Sequence, residues 1–248
     1  MNDICLIINT NTSVQDVWEM FFGELEIRFP QINKKYIFVD DTNYNFKGNY
    51  NVTFYNKNLQ YRDQLLECFP KVKEKYCIYI QEDYILYNDV NWEQICNIIE
   101  LMEINSTIDF IKLMRGTDTI HPVEQNLTMG IPLHYITEAE CYYTQGVTLW
   151  RMDKLRHIFN ETPNSHIGGA GNHTHFEVIA NEACKKHCSG LLYYKDEEKR
   201  GMHHYNSTIF PYIASAIVKG KWNTSEYPTE LIPLLNKYKI DINKRGTC

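Results

Sequence analysis

The chain predicts one mixed α/β domain, with strands and helices taken in alternation. Three observations carry that prediction. The first 40 residues read as strand, helix, strand. The run Tyr76-Cys77-Ile78-Tyr79-Ile80 is apolar, aromatic and β-branched, which suits a strand buried on both faces. That strand ends abruptly in two adjacent carboxylates, Glu82 and Asp83. Carboxylates are seldom fully buried. The pair therefore belongs just past the strand, lining a cleft at the carboxyl edge where open α/β sheets bind their ligands.

Taken in order, Cys5–Ile8 is a first buried strand, followed by the polar turn 9–13 with Ser13 as helix N-cap. Val14, Val17, Trp18, Phe21, Phe22 and Leu25 recur at helical spacing, and Pro30 closes the unit. Tyr36–Val39 is a second strand, ending in Asp40-Asp41. No GxGxxG or GxxxxGK[ST] follows, so neither a dinucleotide fingerprint nor a P-loop is supported. Val52–Tyr55 is a short strand, Leu59–Phe69 an amphipathic helix and Trp92–Met102 another. Ile108–Leu113 is a strand, and 115–139 reads as a long irregular insert, the kind that acts as a loop or lid. Gly146–Arg151 is a strand, Asp153–Phe159 a helix, 162–172 a glycine-rich loop and 174–187 a helix. Leu191–Tyr194 is the last strand, with helices expected over Ile209–Lys219 and Pro228–Tyr238. The organisation expected is a single catalytic domain over 1–248, with 206–248 a helical extension.

Composition narrows the function. Net charge is −6 with no long basic run, which argues against nucleic-acid binding. No apolar run approaches the roughly 20 residues of a membrane helix. The start lacks a basic n-region, so no signal peptide is expected and the location expected is cytoplasmic. The 8 cysteines form no CxxC pair and are expected to be reduced. Sequons at Asn51, Asn105 and Asn223 are expected by chance in so asparagine-rich a chain.

Paired oxygen ligands with water in the remaining positions suit Mg²⁺ or Mn²⁺, which could hold a diphosphate at Glu82-Asp83. The bland alternative is a solvated strand end. Glu177 sits in Thr174-x-x-Glu177, which fits a capping box and equally offers a general base. His203-His204 could supply a ligand or be a surface pair, and Arg62 could meet a diphosphate or pair with Asp63 or Glu82. His173, His175, Cys184, His187 and Cys188 suggest zinc, but they span more than two helical turns without CxxC or HExxH.

The stretch Tyr76-Cys77-Ile78-Tyr79-Ile80-Gln81-Glu82-Asp83-Tyr84 resembles the acidic motif of GT-A glycosyltransferases. Phe38-Val39-Asp40-Asp41, Leu59 to Leu66, Thr144 to Trp150 and His175-Phe176-Glu177 follow the family's order over roughly residues 4–205. The layout is similar to small bacterial and large-DNA-virus transferases that build surface glycans. The resemblance implies a GT-A-like, Rossmann-like fold with a mixed, mostly parallel sheet flanked by helices. It implies a nucleoside-diphosphate sugar donor, a glycan acceptor and a Mn²⁺ or Mg²⁺ ion.

Position by position, the resemblance places Thr10 and Asp40 at base and ribose, and Arg62 near the diphosphate. Glu82 and Asp83 fall at the metal and sugar-phosphate site. Glu177 falls at the general base of inverting members, with Glu138 and Glu140 in reserve, and His203 or His204 at a late metal or phosphate ligand. The motif here is Gln81-Glu82-Asp83 rather than a full Asp-x-Asp, which leaves a metal-independent variant open. Two other classes stay open: a nucleotide- or glycan-binding module with a degenerate site, and a zinc-stabilised structural protein.

Overall fold

The structure is a computed structural model. It describes residues 3–137, 141–164, 172–201 and 204–248, with the side chains of 172–175 left aside. In chain order the elements begin β1 (Ile4–Asn9), α1 (Gln15–Arg28), β2 (Lys35–Val39), β3 (Asn51–Phe54) and α2 (Tyr61–Cys68). Next come β4 (Tyr76–Gln81), β5 (Ile85–Leu86), α3 (Trp92–Ile104), β6 (Phe110–Lys112), β7 (His121–Pro122) and β8 (Leu133–Tyr135). Then follow β9 (Thr148–Arg151), α4 (Met152–Glu161), α5 (Asn172–His187) and β10 (Gly190–Tyr193). The chain continues through β11 (Lys199–Arg200), β12 (His204–Tyr205), β13 (Tyr212–Ile213), β14 (Ile217–Val218), β15 (Lys221–Trp222) and α6 (Pro228–Lys237).

Nine strands form one sheet in the order β3-β2-β1-β4-β9-β6-β10-β8-β7. The half β3-β2-β1-β4 is parallel throughout. β9 enters antiparallel to both β4 and β6, and β6 and β10 are again parallel to each other. The sheet is therefore mixed and mostly parallel, the Rossmann-like α/β architecture expected. Strand alternation divides the core. Ile4, Leu6 and Ile8 face the layer of α1, α3 and α6, and Cys5 and Ile7 face that of α2, α4 and α5. Both faces of β1 are buried, which is why it reads as an unbroken apolar run.

The antiparallel strand decides where the site lies. Tyr79 and Lys112 both stand opposite Thr148, the first residue of β9. The segment just before Thr148 therefore emerges beside the carboxyl ends of β4 and β6. At the other end of β9, buried Arg151 donates Nε to the Ile108 carbonyl (2.8 Å) and Nη1 to the Tyr76 hydroxyl (3.0 Å), and bonds the Met102 carbonyl. It thereby caps the last turn of α3, whose carbonyls have no helical partner.

Four expectations need correction. Ser13 is not the N-cap: its N–H donates to the Asn11 side chain at 3.0 Å, opening a short 3₁₀ turn ahead of α1. The insert 115–139 is not irregular throughout, because β7 and β8 add to the sheet beyond β10. No helix forms over Ile209–Lys219. Instead β13 pairs with β5, and β14 and β15 make a hairpin. Pro211 lacks a donor, Ser215 has φ +59°, and Lys219-Gly220 take positive φ as a two-residue hairpin turn requires. The region 206–248 accordingly carries one α-helix, α6, docked on α1 through buried Glu24, which accepts from Tyr238 (2.9 Å) and Lys237. All eight cysteines are free.

Candidate active site

The carboxyl ends of β1, β2 and β4 converge on one edge. Thr10, just past β1, is buried. Its hydroxyl accepts from Trp18 Nε1 at 2.7 Å, and its carbonyl accepts from Tyr55 at 2.8 Å. Asp40, just past β2, accepts from the backbone N–H (2.8 Å) and hydroxyl (2.7 Å) of Thr12. Asp40 thus pins the β1–α1 turn across the sheet edge, through charge-assisted bonds worth about 1.5–3 kcal/mol each.

Glu82 and Asp83 lie directly beyond β4 and are half-buried. Asp83 Oδ1 is enclosed and has no hydrogen-bond partner among the described residues. Burial pushes both carboxyls above the ordinary carboxylate range, and repulsion from Asp83 raises Glu82 further. The Thr10 hydroxyl and the charge of Arg245 offset part of that rise in Glu82. The net balance at the pair still opposes negative charge, so a cation would be favoured there. Among the described residues no three His, Cys, Asp or Glu side chains converge as a protein-only metal centre requires. Mg²⁺ and Mn²⁺ sites do not demand one, since one or two carboxylates plus water and phosphate oxygens suffice.

A chain of hydrogen bonds runs from Gln81, the residue before the acidic pair, to α5. Gln81 Nε2 donates to Gln145 Oε1 at 2.7 Å, and the Gln145 backbone N–H donates to Glu177 Oε1 at 2.7 Å. Asn181, one turn along α5, accepts from the N–H groups of Tyr142 (2.7 Å) and Tyr143 (3.2 Å). The loop ahead of β9 is thereby sewn to the helix. Glu177 is the sixth residue of α5, not the third, so the capping-box expectation is corrected. Its carboxylate serves the β9 loop instead.

Glu177 borders a cavity of about 380 Å³ together with Tyr84, Lys112, Thr144, His204 and Ser215. The cavity lies next along the chain from the acidic pair: Tyr84 follows Asp83, and the Asp83 carbonyl accepts from the N–H of Ala216 (2.9 Å), the neighbour of cavity-lining Ser215. Polar groups beside the edge-to-face pair Tyr84 and Tyr212 (5.3 Å between centroids) suit a hydroxylated ligand with an apolar face.

Two expected site residues are otherwise engaged. Arg62 donates Nε to the Phe159 carbonyl at 2.9 Å and lies 3.8 Å from Asp63, so it ties α2 to α4. His204 lines the cavity, but its Nε2 faces Glu226 at 3.2 Å and its ring stacks on Tyr227 at 5.9 Å. His203, Glu138 and Glu140 lie outside the described residues, as do the side chains of His173 and His175. Cys184 is buried against Cys188, and the His187 ring meets His157 edge-on at 5.3 Å. Gln81, Gln145, Thr12 and Arg245 went unnoticed in the sequence as site residues. Gln81 at least stands inside the acidic motif.

No protein-family model and no curated protein sequence matches the chain. Among solved structures, S. aureus TarS residues 1–349 is similar over 83% of this chain and 60% of that one, at 12% identity and TM-score 0.50. The bifunctional IspDF of Campylobacter jejuni is similar over 79% of this chain at 10% identity, TM-score 0.43. The 4-diphosphocytidyl-2C-methyl-D-erythritol synthase of Anaerococcus prevotii covers 71% at 9% identity, TM-score 0.40. This chain spans half the length of IspDF and 83% of the Anaerococcus enzyme. The likeness to TarS is one of fold. No helix among the described residues is long and apolar enough to cross a membrane.

Proposed function

We propose that this chain is a nucleotide-sugar-dependent glycosyltransferase of GT-A type. It moves a sugar from a nucleoside-diphosphate donor to a hydroxyl of a glycan acceptor, with inversion and with help from Mn²⁺ or Mg²⁺. The observation that carries the proposal is the Gln81–Gln145–Glu177 chain. It couples Gln81, the last residue of β4 and the neighbour of the acidic pair, to a carboxylate on the neighbouring cavity. The fold likeness to TarS supports the α/β architecture that this reading needs.

In this reading the nucleotide lies over the ends of β1 and β2, against the turn that Asp40 holds through Thr12. Asp83, with its enclosed oxygen, and Glu82 are the groups that would hold the divalent ion. Such an ion, when bound, neutralises the charge gathering on the departing diphosphate. Glu177 takes the proton of the acceptor hydroxyl. That oxygen attacks the anomeric carbon, the carbon–oxygen bond to phosphate breaks, and the electron pair leaves with the diphosphate. The cavity beside Glu177 receives the sugar being moved and the acceptor hydroxyl.

The test is a thermal-shift panel of nucleoside diphosphates and their sugar conjugates, with Mn²⁺ or with EDTA, followed by product analysis on the donor that binds. A ligand at about 100 times its Kd adds about 2.7 kcal/mol, a rise of roughly 5–10 °C for a domain of this size. A selective rise with Mn²⁺ that vanishes in Asp83→Asn, followed by sugar transfer, supports the reading. No rise with any nucleotide overturns it.

A further inference from the structure

Arg245 belongs to no motif, yet the fold brings it to the acidic edge. The segment that carries it is bound to β15: Thr247 pairs with Trp222, the Trp222 N–H donates to the Gly246 carbonyl (3.0 Å), and the Cys248 N–H donates back to the Trp222 carbonyl (3.0 Å). The Arg245 guanidinium lies 5.9 Å from the centre of the Trp222 ring. Its Nε donates to Asp16 Oδ2 at 2.6 Å and its Nη2 to Asp16 Oδ1, a two-pronged grip on a carboxylate in the first turn of α1. Arg245 is also within electrostatic reach of Glu82, and each favours the charged form of the other.

The guanidinium fork that grips a carboxylate in two places grips a phosphate in the same way. Its present partner is replaceable: the Asp16 side chain is 40% exposed, so water can take over that carboxylate when the guanidinium turns to another anion. A phosphate carrying two charges is the stronger partner.

We infer that Arg245 is a phosphate-binding residue of this site, exchanging Asp16 for the second phosphate of a nucleoside diphosphate and so selecting diphosphate over monophosphate. The inference rests on the function proposed above, and it assigns the segment 241–248 a part in ligand binding.

The experiment is calorimetric titration of the wild-type chain and Arg245→Gln, Arg245→Lys and Asp16→Asn. The probes are whichever of ADP, CDP, GDP and UDP the wild type binds, and the corresponding monophosphate. Arg245→Gln should weaken the diphosphate at least tenfold and the monophosphate less than threefold. Arg245→Lys should fall between, keeping the charge but not the fork. Asp16→Asn should leave diphosphate affinity equal or tighter, since it removes the competing carboxylate. Equal losses for both nucleotides in Arg245→Gln, no loss in either, or a matching loss in Asp16→Asn would overturn the inference while leaving the transferase reading standing. A wild type that binds none of the four diphosphates overturns both. Should Arg245→Gln fail to fold, Arg245→Lys and Asp16→Asn decide the matter.

Discussion

The backbone N–H of Gln145 donates to Glu177 Oε1 at 2.7 Å, joining residues 32 positions apart across the β9 loop and α5. A single carboxylate thereby both shapes the loop and faces the cavity. The two roles separate chemically. In Glu177→Gln the amide oxygen still accepts from Gln145, but the side chain can no longer take a proton. We expect the fold and donor affinity to be retained while turnover drops about 10²- to 10⁴-fold. Steady-state kinetics beside donor titration checks this, and a parallel loss of donor binding would argue against a base.

The Gln81–Gln145 side-chain bond should act on geometry rather than on chemistry. Gln81→Met and Gln145→Met each remove one partner of a 2.7 Å bond between β4 and the loop ahead of β9. Each is expected to cost about 1–3 kcal/mol in stability. Their double-mutant cycle should show about 1 kcal/mol of coupling, since neighbours sharing one bond are not additive. Urea unfolding of the four proteins measures it.

The acidic pair predicts a pH dependence of definite sign. Glu82 and Asp83 hold their protons more tightly folded than unfolded, because burial opposes both charges and Asp83 repels that of Glu82. Between the ordinary carboxylate range, about pH 4, and the raised values, the folded chain binds more protons than the unfolded one. Stability contributed by the pair is therefore present at low pH and falls as pH rises through that window. Asp83→Asn should flatten the fall, stabilising the chain by about 1 kcal/mol at pH 8 by removing an enclosed negative charge. Mn²⁺ should reverse the trend in the wild type alone and release protons as it binds. Chemical denaturation from pH 4 to 8, with and without Mn²⁺, reads both effects.

Arg151 is a test of the frame rather than of the chemistry. It is buried, and its guanidinium satisfies carbonyls at the end of α3 and ahead of β6 as well as the Tyr76 hydroxyl. Arg151→Met leaves those acceptors without donors and should cost about 3 kcal/mol. Because Arg151 ends β9 at the edge away from the site, residual folded protein should keep its nucleotide affinity, which a titration at low temperature would show.

Much of the frame was legible because it depends on local pattern. The apolar runs of β1, β2 and β4 and the helical spacing of α1 and α3 each name their element from within a dozen residues. The acidic pair was legible for the same reason, since an apolar strand that stops in two carboxylates needs no partner to be noticed. Where local pattern misled, chain context overrode it. Residues 209–219 are apolar enough for a helix, but Pro211 and the positive φ of Ser215 and Lys219 turn them into strand pairs. Thr174-x-x-Glu177 has the spacing of a capping box, but α5 begins at Asn172, and the Gln145 N–H claims the carboxylate.

By itself, the sequence determined the α/β class, the order of the principal strands and helices, and the position of Glu82-Asp83 at a strand end. Burial of apolar stripes follows from spacing along the chain, so these needed no knowledge of neighbours. Only the tertiary structure decided that β9 enters antiparallel between β4 and β6, which delivers Gln145 to Gln81 and Glu177. It alone assigned Arg62 to the end of α4, His204 to Glu226 and Arg245 to Asp16. Each is a choice among several partners of matching charge or hydrogen-bonding capacity. Such choices depend on which segments the sheet order brings within about 3 Å, the range of a hydrogen bond.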